Sequence, residues 1–199
     1  MIRPVARPGD MHGVRSRKDF LRMAGALAGP GAFLAACGGG GEKSKKLTPA
    51  EVDFRLMNRI LSLELAGIAA YREGLPLLRG TALESVRRFL SQEREHAAFL
   101  RRRISDLGGT PNLPKTAAEY RRSFPALRDQ SDVLRFAVDL ENRIVRAYVE
   151  FVPKMSSPEL RATAGAIVAT EAEHISVLLV ERHLPPIPSA FVTGTAEIG

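Results

Sequence analysis

Glu93-Arg94-Glu95-His96 and Glu171-Ala172-Glu173-His174 decide how this chain is read. In both tetrads a leucine follows four residues after the histidine, Leu100 and Leu178. On a helix, residues three apart lie on one face, one turn from each other. Glu93 with His96, and Glu171 with His174, can therefore each hold a metal ion from a single helix. Glu95 and Glu173 sit about 100° round the helix from the histidines beside them, and are read as supporting or surface groups. The other two histidines are set aside. His12 falls in a leader segment, and His183 in the last turn of a helix, where partial positive charge suits the C-terminal dipole.

A second pair of segments repeats in the same way. Leu63-Glu64 is followed by Tyr71 and Leu140-Glu141 by Tyr148, the tyrosine standing seven residues after each glutamate. Residues seven apart share a helix face, so each tyrosine points to the same interior as its glutamate, two turns along. The order along the chain is Glu segment, tetrad, Glu segment, tetrad, which is one helical hairpin repeated. Leu56, Ile60, Leu63 and Ile68 would bury these faces. A buried cluster of unpaired carboxylates costs several kcal/mol per charge, and bound metal removes the conflict. The candidate ligands are Glu64, Glu93, His96, Glu141, Glu171 and His174.

Working outward, helix punctuation occurs four times. Thr48-Pro49-Ala50-Glu51 reads as a capping box with proline at the first helical position, opening a helix to about Leu78. Thr81-Ala82-Leu83-Glu84 reads as a second box, with a helix ending near Leu107 before Gly108-Gly109. Ser131-Asp132 opens a third helix that stops before Pro153. Ser157-Pro158-Glu159 opens a fourth that stops before Pro185-Pro186. The first two helices, and the last two, are joined by tight turns and form antiparallel hairpins. The join between hairpins, Gly108 to Gln130, is long and carries three prolines, with a short helix expected over Ala117–Phe124. The fold class is all-α: an antiparallel four-helix bundle with one long crossover between the second and third helices.

Over residues 48–184 these motifs resemble the ferritin-like superfamily, and most closely its bacterioferritin and rubrerythrin branches. The resemblance implies a two-metal centre. In that family the Glu-x-x-His carboxylates bridge, which places Glu93 and Glu171 between the metals, with Glu64 and Glu141 each capping one. It makes Tyr71 and Tyr148 the tyrosines that hydrogen-bond ligand carboxylates, with a catalytic role in steadying them and donating an electron. Two positions depart from the family. The additional rubrerythrin carboxylate would fall at Ile144, and the haem-binding methionine of bacterioferritin would fall at Arg94. Residues 185–199 form a tail in place of a fifth helix.

The N-terminal region reads as an address. Residues 1–36 hold a basic block, Ser16-Arg17-Lys18-Asp19-Phe20-Leu21-Arg22, then an apolar stretch too short to span a bilayer. The block resembles a twin-arginine export motif with Lys18 in place of the second arginine, and general secretion is the alternative. Leu34-Ala35-Ala36-Cys37 resembles a bacterial lipobox, which implies cleavage before Cys37 and lipidation of that residue. With a single cysteine the chain has no disulfide framework. Residues 37–47, glycine-rich and then lysine-rich, read as a flexible tether. Formal net charge is +7. Residues 1–36 contribute six basic and two acidic residues, leaving 23 basic against 20 acidic, or +3, which is too balanced to indicate a nucleic-acid partner.

The expected protein is thus an extracytoplasmic lipoprotein of a bacterial envelope carrying two iron ions, with manganese or a mixed pair as the alternative. Its expected partners are the membrane, through the lipid at Cys37, metal ions, O2 or H2O2, and a second copy in a homodimer. The leading activity is oxidation of Fe(II) by O2 or H2O2. The competing readings are metal sequestration without turnover and a bundle for partner binding in which the site is a structural staple.

Overall fold

A computed structural model describes residues 46–195. The export segment, Cys37 and most of the tether lie outside the described residues. Among the described residues there are five α-helices: α1 (Pro49–Gly74), α2 (Gly80–Asp106), α3 (Ala117–Ser123), α4 (Gln130–Phe151) and α5 (Pro158–Glu181). Among the described residues there is no strand. α1 packs on α2 and on α4, and α5 packs on α4 and on α2. This is the expected bundle of two hairpins, with α3 lying in the crossover against α1.

Local chemistry sets the helix ends. The Glu51 N–H donates to Thr48 Oγ1 at 3.2 Å and the Thr48 N–H to Glu51 Oε2 at 2.7 Å, so the first capping box forms. α1 stops at Gly74 instead of running to Leu78, because Pro76 has no N–H for the helical ladder and the chain tightens into a 3₁₀ turn over Leu75–Leu77. The second expected capping box does not form. α2 begins at Gly80, a position with φ +57°, and Thr81 Oγ1 donates instead to Glu181 Oε2 at 3.0 Å. α4 is capped two residues before Ser131, by Asp129, whose Oδ1 accepts the Asp132 N–H at 2.9 Å. Ser157 caps α5 as its position suggests.

His183 is not in the last turn of α5. It follows the helix at φ +58°, and its N–H donates to the Val180 carbonyl while the Leu184 N–H donates to that of Leu179, both at 2.9 Å. That is a Schellman end with histidine in the left-handed place that glycine commonly fills. The following residues return to α4, where Arg146 Nη2 donates to the Gly194 carbonyl at 2.8 Å. Gly194 sits so close that a Cβ there would lie 2.4 Å from the Asn142 carbonyl oxygen. The other end of the bundle is tied by buried Asp53, which accepts the Ser156 N–H at 2.9 Å and the Ser156 hydroxyl at 2.5 Å.

The apolar core runs the length of the bundle through Met57, Ile60, Leu61, Val86, Ile104, Val138, Ile144, Val145 and Leu178. At its midpoint the apolar lining gives way to charge: Glu64, Glu93, Glu141, Glu171 and His174 are all at most 1% exposed. α5 is long and apolar enough to cross a membrane, with mean hydropathy 1.3. In the bundle it turns Glu171 and His174 inward.

Candidate metal centre

Each bundle helix contributes one carboxylate to the central cluster. α1 supplies Glu64, α2 Glu93, α4 Glu141 and α5 Glu171, with His96 and His174 one turn beyond the α2 and α5 glutamates. All six residues read from the sequence are brought together. His96 Nδ1 lies 2.8 Å from Glu171 Oε1 and 3.8 Å from Glu64 Oε2. His174 Nδ1 lies 3.4 Å from Glu93 Oε1, 3.4 Å from Glu141 Oε1 and 3.2 Å from Glu171 Oε2. Glu95 and Glu173 face solvent.

The six residues form two groups of four, Glu64/Glu93/His96/Glu171 and Glu93/Glu141/Glu171/His174. Within each group one atom per residue lies within 4.8 Å of the others. Glu93 and Glu171 belong to both groups. Two four-ligand groups that share two carboxylates have the connectivity of a two-metal site with a terminal glutamate and histidine on each side.

The hydrogen-bond inventory tests whether the residues fit such a group. Glu64 Oε2, both oxygens of Glu93, Glu141 Oε2, both oxygens of Glu171, His96 Nδ1 and His174 Nδ1 are all buried without a hydrogen bond. Even the 2.8 Å contact of His96 with Glu171 lacks hydrogen-bond alignment. Buried polar atoms are nearly always satisfied, and each orphan costs about 1–3 kcal/mol. These orphans are lone-pair donors aimed at common points between helices, the donor set that divalent iron or manganese takes. The residues fit a metal pair.

The two tyrosines cross the bundle. Tyr71 of α1 donates to Glu141 of α4, and Tyr148 of α4 donates to Glu64 Oε1 of α1 at 2.7 Å. Each bond occupies one oxygen of a terminal carboxylate and leaves the other free. Burial, then the charge of Glu141 for Tyr71 and of Glu64 for Tyr148, pushes both phenols well above their ordinary range. Both therefore stay protonated donors.

The electrostatics are those of a site built for cations. Burial, reinforced by neighbouring carboxylates, pushes Glu93 and Glu171 well above the usual carboxylate range. Burial also acts upward on Glu64, but the neighbouring Glu93 and His96 and the hydrogen bond from Tyr148 hold it below that range. Burial acts downward on His174, yet the adjacent Glu141 and Glu93 lift it to about 9. Without cations the cluster retains protons. A bound cation would displace them.

Two participants were not read from the sequence. Gln92 Oε1 lies 2.9 Å from His174 Nε2, and the Phe89 ring lies 4.1 Å from the His174 ring. Both precede Glu93 within about a turn, but an uncharged amide and a phenylalanine carry no spacing signature.

Several solved structures share the fold. One, described as ferritin-like, diiron-carboxylate proteins from Bacillus anthracis str. Ames, is 21% identical, with a TM-score of 0.58 over 70% of this chain and 99% of the other. A second, a conserved hypothetical protein from Mycobacterium tuberculosis, is 20% identical, with a TM-score of 0.62 over 72% of this chain and 99% of the other. No curated protein matches the chain. The model of the ferritin-like domain matches residues 52–180, a span that takes in all six convergent side chains and both tyrosines, and the chain belongs to that family.

Proposed function

We propose that the protein binds two iron ions at the six-residue centre and oxidises Fe(II) with O2 or H2O2. The observation that carries this reading is the set of unsatisfied buried donors, arranged as two groups sharing Glu93 and Glu171. Glu64 and His96 would hold one ion, Glu141 and His174 the other, and Glu93 and Glu171 would lie between them. When bound, an iron pair supplies two electrons to a small oxidant. The likeness to a protein described as diiron-carboxylate supports iron over manganese.

The chain's own residues fit that chemistry. Tyr148 and Tyr71 orient the terminal carboxylates by hydrogen bonds, so their free oxygens stay aimed inward. Hard carboxylate oxygens offset the added charge of an oxidised pair. Burial of all but one of the six residues to 1% exposure or less excludes bulky organic substrates and suits a diatomic oxidant or peroxide. The hydroxyls of Tyr71 and Tyr148, hydrogen-bonded to Glu141 and Glu64, would serve as electron donors, each passing its proton to the carboxylate it touches.

Anaerobic loading with Fe(II) followed by O2 or H2O2 is the test. A near-ultraviolet absorption should develop with either oxidant, and Tyr148→Phe should slow it or change its products. An Fe(II) form indifferent to both oxidants would leave metal sequestration as the function. The lipobox-like Leu34–Cys37 supports the second part of the proposal, attachment to the outer side of a bacterial membrane through a lipid on Cys37. Cys37→Ala should move the protein from the membrane fraction to the soluble fraction. Equal partitioning of the two forms would rule the anchor out.

A further inference from the structure

The two hairpins repeat in sequence, so the two halves of the centre ought to be equivalent. They are not. His174 is 1% exposed in its side chain, whereas His96 is 12% exposed. His174 Nε2 has Gln92 Oε1 at 2.9 Å. An amide oxygen only accepts, so the ring nitrogen facing it is the donor, and in the neutral ring that a metal would bind the lone pair falls on Nδ1, the atom among the carboxylates. Phe89 covers the same ring at 4.1 Å.

The repeat defines what should play these parts for His96. Gln92 stands one residue before Glu93, and its counterpart before Glu171 is Thr170. Thr170 is spent on its own helix, where its hydroxyl donates to the Ala166 carbonyl at 3.4 Å. Phe89, four residues before Glu93, has Ile167 as its counterpart. Among the described residues no side chain is hydrogen-bonded to His96 Nε2. One histidine is thus held by an outer partner that sets its ring orientation and tautomer, and the other, at the more exposed edge, has none.

We infer that the centre is built asymmetrically: the half on Glu141 and His174 retains its ion, and the half on Glu64 and His96 exchanges its ion with solution. This rests on the two-metal reading above. Gln92 is the positioning residue that makes the difference. Outer partners that orient a ligating histidine are worth 10–100-fold in metal affinity, so the retained ion should bind on the order of 10–100-fold more tightly than the other. Exchange would take place past His96, the only one of the six ligands exposed beyond 1%.

The test is an anaerobic titration of the metal-free protein with Co(II), which is coloured and reports each ligand environment by its visible absorption. The wild type should fill in two separate steps. Gln92→Leu should weaken the first step by about 10–100-fold and merge it with the second, while circular dichroism shows the helices intact. Gln92→Glu, which keeps an acceptor beside Nε2, should keep the steps apart. His96→Ala should remove the weaker step and leave the tighter one, and His174→Ala the reverse. Two Co(II) ions bound in one unresolved step, or two steps indifferent to Gln92→Leu, would overturn the asymmetry and leave the two-metal reading standing. Binding of one ion or none by the wild type would overturn both.

Discussion

Glu171→Ala is expected to abolish tight binding at both halves of the centre, although it removes only one side chain. Glu171 Oε1 faces His96 at 2.8 Å and its Oε2 faces His174 at 3.2 Å, so it belongs to both four-residue groups. Its loss leaves each group with three candidate ligands and removes a negative charge that would lie between two cations. The fall in affinity should exceed the roughly 10–100-fold that loss of an outer-shell partner costs. Glu64→Ala and Glu141→Ala should behave differently, each losing one ion, because each residue belongs to a single group. Metal content after gel filtration reads the difference. Retention of two ions by Glu171→Ala, or loss of both by Glu64→Ala alone, would contradict shared carboxylates.

Stripping metal should lower the melting temperature by about 10 °C. An ion present at a thousand times its dissociation constant stabilises the folded state by about 4.1 kcal/mol. A domain of this size shifts by roughly 2–4 °C per kcal/mol. The structural cause is the cluster itself. Without cations, Glu93 and Glu171 are forced toward their protonated forms by burial and by neighbouring carboxylates, and their oxygens lack partners. Scanning calorimetry before and after chelation, with Fe(II) or Mn(II) added back, measures this. An unchanged melting point after confirmed metal loss would make the bundle independent of its site.

The centre was legible because its chemistry is local. A glutamate and a histidine three residues apart are tied to one face of a helix by geometry alone, and Glu93, His96, Glu171 and His174 sit where that rule puts them. The Glu-to-Tyr spacing placed the tyrosines inward, but not their crossing. Tyr71 serves the glutamate of α4 and Tyr148 that of α1, a pairing that depends on how the helices are arranged. Helix starts were less legible for the same reason. Thr81 has the signature of a cap, yet Glu181, a hundred residues away, takes its hydroxyl. Asp53 looks like a surface residue near the start of α1, and only the return of the chain at Ser156 buries it. The seating of Gly194 on α4 likewise comes from a long-range contact that no window of sequence contains.

The most direct measurement is a crystal structure of the anaerobically iron-loaded protein with anomalous data at the iron edge. Two peaks are expected inside the bundle, roughly 3.5–4 Å apart as in other two-metal sites, with Glu93 and Glu171 between them, Glu64 and His96 on one, and Glu141 and His174 on the other. A single peak, or iron found only on the surface with the six side chains unchanged, would contradict a two-metal centre.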